Sequence, residues 1–208
     1  GNAAGASALG SVAAVGEKVY AGRGPTVFSL SQRWQQFDTA NGMAYRDIRR
    51  LWTARGRLFV STNDALHALG PDGATWDTRA TPANDVIADR HGRIWVAHAG
   101  GASWWEPGGA WQPVLDLGLS EPVHALAEDG LGRVWLGLDD GVALYDRDRL
   151  IARLQPPTGA VSITHLLADR SGALWAAAES GVARLDPDSA EWTLFDIAGG
   201  GIASANPD

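Results

Sequence analysis

A seven-residue phrase that returns every forty residues constrains the fold of this chain more than any other feature. It stands as Asp89-Arg-His-Gly-Arg-Ile-Trp95, as Asp129-Gly-Leu-Gly-Arg-Val-Trp135 and as Asp169-Arg-Ser-Gly-Ala-Leu-Trp175. Each copy reads Asp-x-x-Gly-x-aliphatic-Trp and follows a short apolar run. A fixed period of this length is the signature of a repeat architecture, in which each repeat is one supersecondary unit.

Two weaker copies precede these three. Gly16-Glu-Lys-Val-Tyr20 and Gly56-Arg-Leu-Phe59 end in an aromatic residue at the matching position, although neither carries the marker aspartate. The matching aromatic residues are spaced 39, 36, 40 and 40 residues apart, and changes in loop length explain this drift. The sequence therefore predicts five repeats, whose aromatic positions are Tyr20, Phe59, Trp95, Trp135 and Trp175.

Each repeat contains four short apolar segments separated by turn residues. In the fourth repeat these segments are Val123–Glu128, Val134–Leu138, Val142–Tyr145 and Leu150–Leu154. Asp139-Asp-Gly141 separates the second from the third, and an Asp-Gly pair is typical of a tight hairpin turn because glycine supplies the positive φ. No segment has sustained apolar residues at helical spacing, so we expect almost no helix.

Four-stranded antiparallel sheets at this period are the blades of a β-propeller. A single such sheet is apolar on both faces and is stable only when neighbouring sheets cover it. We predict one all-β domain over residues 1–198, a five-bladed propeller, with closure at five blades favoured over a piece of a longer ring. The expected blades are 7–39, 44–80, 83–115, 121–155 and 160–196, and residues 199–208 are a C-terminal tail or the start of a further blade.

Composition excludes several classes of function. The net charge of −7 argues against a nucleic-acid surface, which needs clustered lysine and arginine. No apolar run approaches the roughly 18 residues that would span a bilayer, so we expect no direct membrane insertion. The chain has no cysteine, which excludes disulfides, thiolate metal sites and cysteine nucleophiles. The five histidines lack metal-ligand spacing and no nucleophile elbow occurs, so we expect no metal, no cofactor and no catalytic residue.

Two of the repeats resemble a known family. The segments 129–145 and 169–185 are similar to the two-component regulator propeller repeat, which has the same Asp-x-x-Gly-x-aliphatic-Trp plan followed by a Gly-aliphatic hairpin. The resemblance covers blades three to five well, blade two partly and blade one poorly. It implies a periplasmic or extracellular sensor propeller, often placed before a membrane helix and a histidine kinase. Members of the family usually have seven or more blades, and this chain departs from them with five.

Most of the ten tryptophans occupy repeated positions, which predicts a packing role. Trp95, Trp135 and Trp175 lie on second strands and fill the contact between one blade and the next. The repeated aspartates are expected to cap turns, since a ligand site would interrupt the repeat. Trp52 and Trp104 break the repeat, and each either fills a local gap or is an exposed ring that could stack a sugar or anchor a partner protein.

Function is expected at the loops where the repeat is broken. The turns between second and third strands and the loops between blades form the usual ligand face of a propeller, and here they are mostly acidic. Such a rim would attract a cation, an amine or a basic peptide. The candidate binding residues are Arg23, Trp52, Asn63, Asp64, His98, Trp104, Asp139, Asp140 and Glu179.

The predicted function is a non-catalytic binding module, either a ligand sensor or a protein-interaction scaffold, that acts through this loop face. Its small ligand or protein partner is unknown. The first alternative is a fragment of a longer sensor propeller of a hybrid two-component system. The second is a propeller glycosidase or lyase, which would need carboxylates on inner strands. Asp47, Asp85 and Glu128 are the candidates for that role.

Overall fold

A computed structural model describes residues 11–23, 26–30, 34–37, 47–106, 109–114, 121–146, 149–156, 162–179, 181–196 and 201–203. For residues 23, 34–37, 196 and 201–203 this description is limited to the backbone. Within these ranges every helix-or-strand element is a β-strand, and the strands form five sheets in which consecutive strands pair. No helix long and apolar enough to cross a membrane is present among the described residues.

The strands follow the chain in order through the five sheets. The first sheet holds β1 (Ser11–Val15), β2 (Lys18–Arg23), β3 (Thr26–Leu30) and β4 (Trp34–Phe37). The second holds β5 (Ile48–Ala54), β6 (Arg57–Thr62), β7 (Leu66–Leu69) and β8 (Trp76–Arg79). The third holds β9 (Asp85–Ala88), β10 (Ile94–His98), β11 (Gly101–Trp105) and β12 (Gln112–Pro113).

The last two sheets complete the series. The fourth holds β13 (Ala125–Glu128), β14 (Val134–Gly137), β15 (Val142–Asp146) and β16 (Arg149–Leu154). The fifth holds β17 (Ile163–Ala168), β18 (Leu174–Ala178), β19 (Gly181–Asp186) and β20 (Glu191–Asp196), and β21 (Gly201–Ala203) pairs with β20 as a fifth strand. The predicted all-β fold with five four-stranded blades is therefore confirmed.

The chain divides into two compact units, residues 1–86 and 87–208. In the first unit the core lies where β1 and β2 meet the second sheet, and its central side chains include Tyr20, Leu51 and Val60. The Ser11 hydroxyl accepts a hydrogen bond from the Leu51 N–H at 3.0 Å. A Cβ on Gly22 would lie 2.7 Å from Leu51 Cδ1, so only glycine permits this close approach of the two sheets.

In the second unit, two tryptophans fill the contacts between consecutive sheets, here called seams. Trp95 of the third sheet is 1% exposed and meets Tyr145 of the fourth edge to face at 5.2 Å. Trp135 of the fourth sheet is also 1% exposed and packs with Ile163, Leu174 and other residues of the fifth. The packing role predicted for these two tryptophans is confirmed, because each joins one sheet to the next.

Trp175 of the fifth sheet has a less enclosed environment than its two counterparts. Its ring is half-buried and stacks on Phe195 at 5.4 Å between centroids. Leu167, which pairs with it across β17 and β18, is 64% exposed. The same repeat position therefore carries a fully buried ring in two sheets and a partly open one in the third.

The repeated aspartate shapes each turn between the first and second strands. One Asp129 oxygen accepts from the N–H groups of Leu131 and Arg133 at 2.9 and 3.0 Å. The other accepts from the Trp135 indole at 3.1 Å and from the Arg133 guanidinium at 2.7 Å. The turn closes on Gly132, whose φ of 85° favours glycine. The predicted turn-capping role is confirmed and extended, since the carboxylate also holds the seam tryptophan.

The two other marker aspartates repeat this arrangement. Asp89 accepts from the Arg93 N–H at 2.9 Å and from the Trp95 indole at 2.8 Å. Asp169 accepts from the Ser171 hydroxyl at 2.6 Å and from the Trp175 indole at 2.7 Å. We call this set of contacts the Asp–Trp clamp.

Truncation of a seam tryptophan should destabilise the fold strongly. Trp135→Ala removes a fully buried ring and leaves a cavity, so the free energy of unfolding should fall by about 3–5 kcal/mol. Leu167→Ala is the control, because that side chain is 64% exposed and its loss should change stability by less than about 0.5 kcal/mol. Urea denaturation followed by tryptophan fluorescence and circular dichroism measures both. Similar losses in the two variants would contradict the seam assignment.

The clamp also predicts a pH dependence of stability. Hydrogen bonds from the Ser171 hydroxyl and then the Trp175 indole lower the pKa of Asp169 from 3.8 to about 2, against a small opposing effect of burial. A carboxyl whose pKa is lower in the folded state stabilises the fold above its unfolded pKa, and that stability is lost as pH falls towards the folded value. Asp169→Asn should therefore flatten the fall in unfolding free energy between about pH 4 and pH 2, and Ser171→Ala should flatten it less. A fall as steep as the wild type's in Asp169→Asn would refute the assignment.

Candidate functional site

Turns between second and third strands carry four of the predicted site residues in the second unit. His98 opens the turn between β10 and β11, and Asp139 and Asp140 form the turn between β14 and β15. Glu179 lies at the matching turn between β18 and β19 and is exposed. In each case the third strand starts at or beside a glycine with positive φ, namely Gly101, Gly141 or Gly181. We call the end of the sheets that carries these turns the loop face.

Backbone hydrogen bonds tie each of two such turns to the entry of the next sheet. The Val123 N–H donates to the His98 carbonyl at 3.1 Å, and the Ile163 N–H donates to the Leu138 carbonyl at 2.9 Å. Residues that precede a first strand are thereby brought to the loop face. This places His124 and Ser162 beside the turn of the fourth sheet.

Asp139 is the centre of a first group of contacts. Its Oδ1 atom lies 2.7 Å from His124 Nε2 and accepts from the Ser162 hydroxyl at 3.2 Å. Because a carboxylate only accepts, the neutral imidazole has its proton on Nε2. The Asp139 side chain is 52% exposed and the His124 side chain 28%, so the pair is open to solvent.

Arg153 is the centre of a second group. Its guanidinium contacts both oxygens of Glu121, at 2.8 and 3.1 Å, and Asp140 Oδ1 at 2.7 Å. Gln155 donates to the other Asp140 oxygen at 2.9 Å. The hydrogen bond from Arg153 holds the pKa of Asp140 below its usual value; burial opposes this effect, and the hydrogen bond from Gln155 and the charge of Arg153 add smaller lowering effects. We call the two groups together the loop-face cluster: Glu121, His124, Asp139, Asp140, Arg153 and Ser162.

The sequence located the two aspartates of this cluster but not Arg153. This arginine lies near the end of the outer strand β16, where it pairs with Ala143, the third residue after Asp140. Alternate residues of β16 are exposed, and Arg153 belongs to the exposed set. The sequence did contain a clue to this contact: a basic residue stands at an exposed position of the outer strand, which pairs with the strand that follows the Asp-Asp turn.

His98 is held by neighbours on its own hairpin. Its Nδ1 atom accepts from the Gly100 N–H at 3.2 Å, and its Nε2 atom lies 3.1 Å from the Ser103 hydroxyl. With Nδ1 as the acceptor, the neutral ring carries its proton on Nε2 and donates to Ser103. The ring is half-buried and lies on the loop face, as predicted.

The two tryptophans proposed for the site lie elsewhere. Trp52 is only 8% exposed, and its indole donates to Asp85 at 2.9 Å, so it belongs to the core rather than to an open stacking surface. Trp104 is half-buried, with the Arg93 guanidinium 4.3 Å above its ring. It lies near the end of β11 opposite the His98 turn, so the structure separates it from the loop face.

The remaining candidates belong to the first unit. Asn63 and Asp64 are exposed on the turn between β6 and β7, where Asp64 accepts from the Thr62 hydroxyl at 3.1 Å. The backbone of Arg23 ends β2, and its side chain lies outside the described part of the structure.

Of the three carboxylates considered for a glycosidase, Asp85 and Glu128 make hydrogen bonds within the fold, and Asp47 does not share those contacts. Asp85 accepts from the Trp52 indole, and Glu128 accepts from the Arg90 N–H at 2.8 Å. Asp47 is exposed immediately before β5. Among the described residues, no three histidine or acidic side chains are grouped so that they could hold a metal ion.

No protein-family model and no curated protein matches the sequence. Solved structures do match the fold. The extracellular domain of BT4673 from B. thetaiotaomicron, assigned to the hybrid two component systems, aligns with a TM-score of 0.68 and 18% identity over 84% of this chain. The alignment covers 26% of that structure, so the chain spans about a quarter of its length.

Two further structures align over most of the chain. Virginiamycin B lyase from Staphylococcus aureus aligns with a TM-score of 0.73 and 12% identity over 92% of this chain and 70% of the lyase. YCF48 bound to D1 peptide aligns with a TM-score of 0.68 and 20% identity over 91% of this chain and 67% of YCF48. At these identities the comparisons establish the β-propeller fold, and they agree with the propeller repeat recognised in the sequence.

Loss of Arg153 should change the titration of Asp140 more than the stability of the fold. Arg153→Gln removes the guanidinium that lowers the pKa of Asp140, so that pKa should rise towards its ordinary value. Because the ion pairs are partly exposed, the unfolding free energy should fall by less than about 1 kcal/mol. NMR titration of the side-chain carboxyl carbon measures the pKa. Arg149→Gln, on the same strand, should leave it unchanged. An unaltered Asp140 titration in Arg153→Gln would contradict the arrangement.

Proposed function

We propose that the chain is a non-catalytic β-propeller binding module that recognises a positively charged group through its loop face. One observation carries the proposal: apart from Trp104, the candidate side chains that interrupt the repeat in the second unit collect at the same end of successive sheets. The repeated side chains of the Asp–Trp clamp occupy the other end, because the first-to-second and second-to-third turns lie at opposite ends of each second strand.

The charge of this face supports a cationic ligand. The described loop-face residues of the second unit include four carboxylates, on Glu121, Asp139, Asp140 and Glu179, against the single guanidinium of Arg153. Arg153 contacts Glu121 and Asp140. The Asp139 side chain is half exposed, and its hydrogen-bond partners among the described residues are His124 and Ser162, so it offers a carboxylate to an amine or guanidinium.

A sensor role in an extracytoplasmic compartment is the context we favour. The propeller repeat in the sequence and the fold of the BT4673 extracellular domain both support it. The peptide complex of YCF48 supports a peptide or protein partner as one form of ligand for such a fold.

Binding of amine probes tests the proposal. Spermidine and a short lysine-rich peptide should each raise the melting temperature by mass action. The double variant Asp139→Asn with Asp140→Asn should weaken binding by about tenfold, which is about 1.4 kcal/mol. It removes two carboxylates and frees the Arg153 guanidinium to repel the probe. Isothermal titration calorimetry measures the affinities.

A matched control separates site binding from general charge attraction. Asp188→Asn with Glu191→Gln removes the same number of charges from exposed residues of the fifth sheet at the end opposite the loop face, and should bind as the wild type does. Absence of a melting shift with either probe would defeat the proposal. An equal loss of affinity in both double variants would also defeat it.

A lyase is the second candidate function, supported by the solvent-open His124–Asp139 pair. An imidazole with its proton directed at a carboxylate presents its other nitrogen as a base. The S. aureus enzyme of the same fold has been described with quinupristin. Incubation of this chain with quinupristin, followed by mass spectrometry, tests the idea. Conversion that disappears in His124→Ala would favour a lyase over the binding module.

A further inference from the structure

The seam between the fourth and fifth sheets differs from the seam before it, at the end opposite the loop face. Because the two seams are built from equivalent residues of successive repeats, the first serves as an internal reference for the second. The reference seam joins the third and fourth sheets. Its distinguishing feature is an arginine that bridges the two sheets.

Arg90 makes this bridge. Its backbone N–H and its Nε atom both donate to Glu128 Oε1, at 2.8 and 3.2 Å, and its Nη2 atom donates to the Asp129 carbonyl at 2.9 Å. The side chain lies directly over the turn glycine of the fourth sheet, since a Cβ on Gly132 would be 2.7 Å from Arg90 Cδ. The space above that turn is therefore filled by protein.

Both partners of the bridge are absent from the next repeat. Gly130 stands where the reference seam has Arg90, and Ala168 stands where it has Glu128. A Cβ on Gly172, the equivalent of Gly132, would meet no atom within 4 Å. A cavity of about 350 Å³ lies at this position, lined in part by Leu131, Arg133, Arg170, Arg184 and Pro187. This volume is in the range of small-molecule sites.

Of the three aspartates that line the cavity, Asp129 and Asp186 have partners within the protein, and Asp188 is exposed. Asp129 is bound by the Arg133 guanidinium, by turn N–H groups and by the Trp135 indole. Asp186 accepts from the N–H groups of Asp188 and Ser189 at 3.0 and 3.3 Å. The charge of Asp129 is balanced within the protein by the Arg133 guanidinium at 2.7 Å.

Two arginines of the cavity wall differ from these aspartates in their side-chain contacts. Arg170 is exposed and Arg184 is half-buried, and neither guanidinium makes a hydrogen bond or ion pair with any residue in the described ranges. A guanidinium presents a planar fork of donors that matches a carboxylate. Leu131, at 71% exposure, and Pro187 add apolar surface beside these donors. Burial of that surface by a ligand would add a favourable hydrophobic contribution to binding.

We propose that this cavity is a second binding site, specific for a small monocarboxylate with an apolar body. Arg170 and Arg184 hold the carboxylate, and Leu131 and Pro187 contact the carbon skeleton. The carboxylates of Asp186 and Asp188 in the same wall disfavour a more highly charged anion. The site is separate from the loop face and does not depend on it, because it lies at the opposite end of the strands.

The equivalent positions of the preceding repeat suggest a double variant that should fill the cavity. Gly130→Arg with Ala168→Glu introduces the Arg90–Glu128 pair into the second seam. The Gly130 position accepts a side chain, since a Cβ there would meet no atom within 4 Å. The new arginine should fill the cavity over Gly172 and exclude a ligand, while the melting temperature stays at or above that of the wild type.

Phenylacetate is the probe, with inorganic phosphate as the comparison. Titration followed by amide NMR should give saturable shifts at Gly130, Leu131 and Gly172 with phenylacetate, and weaker binding of phosphate. Arg184→Gln and Arg170→Gln should each weaken phenylacetate binding by about tenfold. The closed double variant should abolish it. Arg149→Gln, an exposed arginine on β16, is the charge-matched control and should leave it unchanged.

Three results would overturn the proposal. The first is an absence of saturable shifts with phenylacetate in the folded wild type. The second is undiminished binding in the closed double variant, whose folding its melting temperature verifies. The third is equal loss of affinity in Arg184→Gln and Arg149→Gln, which would indicate attraction to any surface arginine. None of these results bears on amine binding at the loop face, so the two sites are tested independently.

Discussion

The hydrogen bond from an indole to the aspartate that opens its own turn links local structure to packing in this fold. One carboxylate oxygen organises the backbone of the turn, and the other fixes the orientation of the tryptophan six residues later. A tryptophan oriented in this way enters the seam with the next sheet at a set angle. Because a buried indole N–H needs an acceptor, the same contact satisfies the polar end of the largest side chain in the seam. Turn geometry, ring orientation and sheet contact therefore depend on a single carboxylate.

The repeat predicted this part of the structure well because it is local. In the fourth repeat, β14, β15 and β16 agree with the expected segments to within one residue at each end, and β13 begins two residues later than expected. In the third sheet the last strand, β12, is restricted to Gln112–Pro113. Proline has no N–H to donate, so the ladder weakens there. Val114 still donates to the Ala102 carbonyl at 2.9 Å, which shows that the chain continues alongside β11.

The candidate site was predicted less completely because its contacts are not local. Asp139 and Asp140 were found from the turn, but their partners come from an outer strand and from the segments before two first strands. Trp52 shows the opposite case, a residue that was proposed for the site but is buried in the core. It interrupts the aromatic pattern, which suggested an exposed ring, yet Asp85, 33 residues away, supplies an acceptor that allows the indole to be buried. The repeat pattern identifies a residue that departs from it. The pattern does not show whether a residue far along the chain provides the contacts that bury that side chain.

The Arg90–Glu128 bridge has a consequence for how such a fold can change. Its side chains are 45% and 19% exposed, and ion pairs of this kind contribute about 1 kcal/mol or less. A repeat that loses the pair forfeits little stability, since the Asp–Trp clamp and the buried tryptophan beneath it are untouched. In return, the loss leaves a concave surface already bordered by charged and apolar groups. In a tandem array, a surface for recognition can thus form at one seam where such a pair is missing, while the neighbouring seams keep their contacts.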